Sequence, residues 1–244
     1  MQHVCTIKAS GQWGKPAGDD APDTETPGVF SPAGLDLAIL RSLQWPNGTV
    51  LRVGFIGRVA SDLRALIVSH LNAWNRRGAS ISFVESSVDP QIRITLAKGQ
   101  GYWSFVGRDC LYIPKDQPTM ALEGLSTRTS PVEMARVIRH EAGHALGFPH
   151  EHSRPEIVAK LDPAKVIAHF MRHQGWSEEV IRSQILTPIP NSALVRTRMP
   201  DASSVMCYSF PGSLTRDGKP ISGGNNISAL DARFSASIYP QRRA

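Results

Sequence analysis

The chain has 244 residues, of which 41% are hydrophobic and 20% charged, a composition typical of a globular protein with one domain. No apolar run approaches the ~20 residues that cross a bilayer, which excludes an integral membrane protein. The net charge of +6 raises the question of nucleic acid, but scattered basic residues without a nucleic-acid motif favour a solvated basic surface.

Residues 1–34 are rich in Gly, Pro and Asp and predict an extended arm, with the compact domain over residues 35–244. The first residues lack the apolar core and cleavage site of a secretory signal. The protein is therefore expected to be cytoplasmic as synthesised, or exported by a leaderless route. Cys5, Cys110 and Cys207 lie far apart, which argues against a disulfide framework.

Apolar periodicity predicts a strand at Leu51–Ile56 and then an amphipathic helix at Ala60–Arg76. Short β-leaning runs follow, each bounded by turn residues, at Ser80–Val84, Ile92–Leu96, Tyr102–Val106 and Cys110–Ile113. These runs predict a small twisted sheet.

The clearest helix signal begins at Ser130, where Pro131 and Glu133 complete a capping-box pattern. An apolar stripe follows, so a helix is predicted from about 131 to 146. Further helix starts are predicted at Asp162-Pro163, Ser177 and Ser228, the last with Asp231 in a second capping pattern.

This helix carries the pattern HExxHxxGxxH, formed by His140, Glu141, His144, Gly147 and His150. Histidines four residues apart share a helix face and can bind one zinc ion. Glycine allows the chain to turn and return the third histidine to the metal. Three neutral ligands leave one position of the zinc ion open for water, and Glu141 stands where it can accept a proton from that water.

Other histidines carry a weaker signal. His169 and His173 are also four residues apart, but without a following glutamate or a third histidine they are expected to face solvent. His152 is likewise not expected to be a ligand. The main motif also has a plainer interpretation, in which its histidines satisfy local hydrogen bonds or hold a metal without activity.

Together with its neighbouring segments, this motif resembles the astacin family of metzincin peptidases, and the bacterial members most closely. The similar segments are WPNG (45–48), YWSFVG (102–107), HEAGHALGFPHEHSRP (140–155), SSVMCY (203–208) and ISALDARFSASIY (227–239). The resemblance implies an α+β, zincin-like fold with two lobes around an active-site cleft. The upper lobe, about 35–150, would hold a mostly parallel sheet with helices, and the lower lobe, about 151–244, would be irregular and helical.

The resemblance also implies roles for three residues near the metal. Met206 would form a hydrophobic base under the zinc ion. Tyr208 would be a displaceable fifth zinc ligand that stabilises the oxyanion once substrate binds. Glu151 would anchor a processed N-terminus in a buried network, although from the sequence alone it could equally be an exposed carboxylate.

The sequence departs from the family pattern at two positions. Tyr102 stands where members often carry a disulfide cysteine, and Cys207 stands where many carry histidine. Because family prosegments can block the zinc with a side chain, the arm is a possible latency segment of a zymogen. Cys5 and Asp19 are alternative blocking ligands, and a leader that never touches the metal is the third possibility.

These observations predict a monomeric zinc endopeptidase with one Zn²⁺ per chain, a protein or peptide substrate, and no nucleic acid or membrane partner. Tyr102–Val106 or Cys110–Ile113 would form the cleft rim and pair with the substrate backbone. A zinc-bearing binding protein, or a scaffold whose cleft is permanently blocked by the arm, remains an alternative, as does a basic nucleic-acid binder.

Overall fold

The computed structural model describes residues 6–8 and 38–241. Within these ranges the strands are β1 Thr6–Lys8, β2 Ala38–Leu40, β3 Val50–Ile56, β4 Ser82–Glu85, β5 Ile92–Thr95, β6 Tyr102–Phe105, β7 Met120–Leu122 and β8 Leu194–Arg196. The main sheet has the order β1-β6-β7-β5-β3-β4, and β2 pairs with β8 in a separate ribbon.

The main sheet is mostly parallel, as predicted. Every neighbouring pair in it is parallel except β6 and β7, which run antiparallel with Trp103 opposite Ala121. The outer edge of β6 is covered by β1 from the arm, in a parallel register that places Thr6 opposite Trp103. β6 is therefore the strand at which the sheet changes direction.

The prediction of a strand at Cys110–Ile113 is wrong. Gly107 has φ +50°, and a Cβ at this position would lie 2.0 Å from the Leu43 carbonyl oxygen. The chain instead turns into a 3-10 helix over Gly107–Tyr112. The strand that pairs with both β5 and β6 is β7, which was not predicted because its three residues are too few for a period to show.

The α-helices in the described ranges are α1 Ser61–Leu71, α2 Pro131–Ala145, α3 Pro155–Val158, α4 Pro163–Gln174, α5 Glu178–Ile181 and α6 Ala229–Ile238. The predicted caps are present: Ser130 accepts the Glu133 N–H, Asp162 accepts the Lys165 N–H, and Ser228 forms a full capping box with its partner at 231. Of the described helices, none combines the length and apolar character that a bilayer crossing requires.

Apolar side chains form a large core between the main sheet, α1 and α2, and a smaller core among α3, α4, α5 and the residues after Cys207. Phe234 and Tyr239 of the C-terminal segment return to the large core, where the Tyr239 hydroxyl donates to the Leu146 carbonyl at 2.5 Å. Tyr102 contacts both cores. The end of the chain is thus tied to the end of α2, where the motif lies.

Candidate metal centre

Two of the predicted ligands lie one turn apart on α2. Residues four positions apart share a helix face, and the Nε2 atoms of His140 and His144 are accordingly 3.1 Å apart. Both side chains are buried. The position of this pair is therefore set by a helix that is packed into the large core.

The chain reverses directly after α2 and brings in the third histidine. Gly147 has φ +102°, in the left-handed region that favours glycine, and its N–H donates to the His144 carbonyl at 2.8 Å. The Nε2 atom of His150 then lies 3.2 Å from the Nε2 atoms of both His140 and His144. The three nitrogens form a nearly equilateral triangle.

Backbone carbonyls determine which nitrogen of each helix histidine faces this triangle. His140 Nδ1 donates to the Val205 carbonyl at 2.6 Å, and His144 Nδ1 donates to the Phe148 carbonyl at 2.7 Å. Because a carbonyl oxygen only accepts, each Nδ1 carries the hydrogen and each Nε2 presents a lone pair. Burial lowers the pKa of His140 to about 4, so this imidazole is neutral at pH 7.

The donor set fits a tetrahedral zinc ion. The Nε2 lone pairs of His140 and His144 face each other at 3.1 Å, and His150 Nε2 lies 3.2 Å from both, a cluster that a shared cation would stabilise. Zn–N bonds of ~2.0–2.1 Å at tetrahedral angles separate the nitrogens by about 3.3–3.4 Å, close to the observed distances. Hydrogen bonds from the opposite ring nitrogen to carbonyls are the usual outer support of such ligands. These three residues are therefore positioned to hold one metal ion.

An aromatic stack adjoins the metal ligands. The Tyr208 ring lies 4.5 Å from the His150 ring and 4.1 Å from the His152 ring, measured between centroids. His152 is fully buried; its Nδ1 accepts the Tyr208 N–H at 3.4 Å, and its Nε2 lies 3.3 Å from the Gln184 carbonyl. His152 thus packs against Tyr208, which in turn packs against the predicted ligand His150, but His152 is not itself one of the three converging histidines. In the sequence, only its position close to the motif could have indicated this role.

A family model described as Astacin, a peptidase family, matches residues 40–162, half of the chain. This chain belongs to the astacin family. It is 33% identical over 95 residues to zinc metalloproteinase nas-27 of Caenorhabditis elegans, a match that covers 38% of this chain. The chain spans about a fifth of the length of that relative, since the match covers 20% of it.

Solved structures agree with this assignment. A structure of myroilysin is 32% identical and has a TM-score of 0.79, covering 84% of this chain and all of that one. The medaka (Oryzias latipes) hatching enzyme HCE-1, a zinc-protease, is 20% identical with a TM-score of 0.54 and covers 82% and 96% of the two chains, so it bears on the fold alone. The α+β fold that the resemblance implied, and membership of the astacin family of zinc metallopeptidases, are thereby confirmed.

Met206 of this astacin-family chain packs directly against the metal-binding helix. Its side chain is fully buried, and a Cβ added to Gly143 would lie 2.3 Å from its Sδ atom. An alanine at the second variable position of the HExxH motif would therefore force the Met206 side chain to move. Its role as a hydrophobic base under the metal stays a prediction.

Asp231 supports the turn before Met206, and the sequence analysis did not predict that it belongs to the site. Asp231 is fully buried, and its Oδ2 accepts the Val205 N–H at 3.1 Å and the Ser228 N–H at 2.9 Å. Since the Val205 carbonyl accepts from His140, α6 supports a metal ligand through one backbone residue. The capping pattern predicted the helix but not this second use of its acidic residue.

Glu151 is buried, which removes the alternative of an exposed carboxylate. Its Oε1 accepts from Arg154 Nη1 and from the Asp201 N–H, both at 3.1 Å. Burial raises the pKa of Glu151, while the Arg154 guanidinium and the Asp201 amide act in the opposite direction. Arg154 is itself 1% exposed, so the two residues form an interior ion pair below the metal-binding segment.

The remaining predicted residues lie elsewhere or outside the described ranges. Cys5 and Asp19 fall on residues that the structure does not describe. Cys207 is a buried free thiol whose pKa is raised by burial. His169 and His173 lie beside each other on α4, with ring centroids 4.6 Å apart and His173 exposed. Glu141 is buried directly after His140, and its role as base stays a prediction.

Proposed function

We propose that this chain is a zinc-dependent endopeptidase that hydrolyses peptide bonds of protein substrates, with Glu141 as the general base. The observation that carries the proposal is the triangle of Nε2 atoms at 3.1–3.2 Å. Three protein ligands leave a fourth position open, as in catalytic zinc sites. When bound, zinc acts as a Lewis acid and lowers the pKa of a water molecule toward ~7.

The protein side chains would move the protons and stabilise the charge. Glu141 would accept the proton of the attacking water and pass it to the departing amine, so that hydrolysis needs no covalent enzyme intermediate. The Tyr208 hydroxyl would coordinate the metal before substrate binds and then donate a hydrogen bond to the oxygen that gains negative charge. The stack of Tyr208 on His152 supports this role by restricting where the phenol can move.

The arm and the substrate would compete for the same sheet edge. An extended peptide binds such an edge by adding a strand, and β1 at Thr6–Lys8 pairs along β6 at Tyr102–Phe105. We therefore propose that residues 1–34 keep the enzyme latent until they are removed. Cys5 directly precedes β1 and Asp19 follows it in the sequence, so each stays a possible zinc ligand of the latent form.

The decisive experiment combines metal analysis with casein digestion on three proteins: wild type, Glu141→Ala, and the wild-type chain shortened to begin at residue 35. Each should contain about one zinc per chain. Only weak activity is expected in the full-length wild type, much higher activity in the shortened chain, and none in Glu141→Ala. If both wild-type forms keep zinc and cut no unfolded protein, the zinc-bearing binding protein becomes the better interpretation.

The latency ligand can be assigned with two single variants of the full chain. Cys5→Ser should raise casein cleavage if the thiolate blocks the zinc, and Asp19→Asn should do so if the carboxylate does. Wild-type activity in both variants, together with an increase after removal of residues 1–34, would mean that strand pairing alone blocks the cleft.

A further inference from the structure

Apart from the metal centre, the structure contains a cavity of ≈ 230 Å³ between α1, the following turn and the C-terminal half of α2. Its wall includes four basic side chains, His70, Arg76, Arg77 and Arg139. Arg139 directly precedes the metal ligand His140, and its carbonyl accepts from Trp74 Nε1 at 2.9 Å. We call this cavity the basic pocket.

The basic pocket gathers positive charge without a nearby acidic partner. None of its four basic side chains forms a salt bridge within the described residues. Burial lowers the pKa of His70, and the neighbouring charges of Arg139 and Arg76 lower it further. Three guanidinium groups therefore line one cavity, an arrangement that a bound anion would stabilise.

The hydrogen bonds of the pocket residues also favour an anionic ligand. Arg139 Nη1 donates to Asn226 Oδ1 at 2.5 Å, which leaves the amide N–H groups of Asn226 as donors. The guanidinium of Arg76 is held by a hydrogen bond to the Ser69 carbonyl. The pocket wall is thus rich in donors, so its ligand should be an acceptor.

We propose that the basic pocket binds a tetrahedral oxyanion of the phosphate or sulfate type. Arginine matches such an anion because its planar fork donates two parallel hydrogen bonds. The cavity is smaller than the ~300–1,000 Å³ of sites for drug-sized ligands, which favours a small anion. This site is separate from the metal centre and does not depend on the proposed peptidase activity.

Isothermal titration of the zinc-loaded protein with inorganic phosphate, and separately with sulfate, tests the proposal. One saturable site per chain is expected, and thermal unfolding should shift upward by about 2–4 °C at saturation. Potassium chloride at equal ionic strength should give a smaller shift. If chloride reproduces the full shift, general screening explains the effect and the proposal fails.

A variant that removes two of the charges separates this pocket from the zinc ion, which could also bind an oxyanion. Arg77→Gln combined with Arg139→Gln should weaken phosphate binding at least tenfold and should raise thermal stability in low salt, because repulsion is relieved. Arg128→Gln, at an exposed arginine that does not line the basic pocket, should change neither. Unchanged phosphate affinity in the double variant would place the anion on the metal and overturn the proposal.

If the double variant does not fold, titration of wild type before and after zinc removal replaces it. Binding that persists without zinc supports the basic pocket. Binding that disappears with zinc contradicts it.

Discussion

Asp231 should control zinc affinity although it contacts no metal ligand. Its Oδ2 accepts the Val205 N–H at 3.1 Å, and the Val205 carbonyl accepts from His140 Nδ1 at 2.6 Å. Asp231→Ala leaves the buried Val205 N–H without this acceptor, so the segment that orients His140 can relax. Loss of an outer partner typically weakens metal binding 10–100-fold. Because Asp231 acts through a backbone residue, we expect the lower end of that range, about tenfold.

The zinc dissociation constant of each folded variant can be measured by competition with a chromophoric chelator. Ser228→Ala is the matched control, because Ser228 Oγ caps α6 by accepting the Asp231 N–H at 2.9 Å but does not touch Val205. It should cost about 1 kcal/mol of unfolding free energy and leave the zinc dissociation constant unchanged. Equal weakening in Asp231→Ala and Ser228→Ala, or wild-type affinity in Asp231→Ala, would refute the reasoning.

Three further outcomes follow from the same structure. Gly147→Ala should cost about 1–2 kcal/mol in thermal unfolding, because residue 147 has left-handed backbone, and it should also weaken zinc binding. Gly175→Ala, at the left-handed end of α4, should cost similar stability and leave zinc binding unchanged. Arg154→Ala should cost about 3–5 kcal/mol in urea unfolding, because it leaves a buried carboxyl group without its ion-pair partner; Arg182→Ala, which breaks an exposed pair, should cost no more than ~0.5 kcal/mol. Burial raises the pKa of Asp231 from 3.8 to about 6, so the folded state holds this proton more tightly and stability falls as pH rises through 6. Asp231→Asn should remove about 2 kcal/mol of that fall between pH 4 and pH 7, and an unchanged pH profile would contradict this cause.

Much of the fold was predictable because its signals are local. The start of α2 depends on Ser130 and the residues up to Glu133, and α4 starts at a similar cap, Asp162. β7 was not predictable because three residues are too few to show a period, and the 3-10 helix at Gly107–Tyr112 was not predictable because a long-range contact decides it. The Leu43 carbonyl excludes a side chain at residue 107, and nothing near residue 107 in the sequence indicates that approach.

The same distinction between local and long-range signals applies to the candidate site. The ligands His140, His144 and His150 lie within eleven residues, so the spacing of the motif was enough to predict that they converge. The hydrogen-bond partners of these ligands could not be predicted in this manner, because two of them are the backbone carbonyls of Phe148 and Val205. Every residue has a backbone carbonyl, so the residue type does not show which one accepts the hydrogen bond.

Metal ligands and the residues that support them should respond differently to mutation. A ligand contributes directly to the metal, so its loss should abolish binding, whereas a residue that acts through a carbonyl should produce a graded loss. Asp231, 91 positions after His140, belongs to the second class, and its effect depends on the packing of α6 into the same core as α2. The packing of the C-terminal helix should therefore contribute to zinc affinity. A truncation that removes this helix should weaken zinc binding although all three histidine ligands remain in the chain.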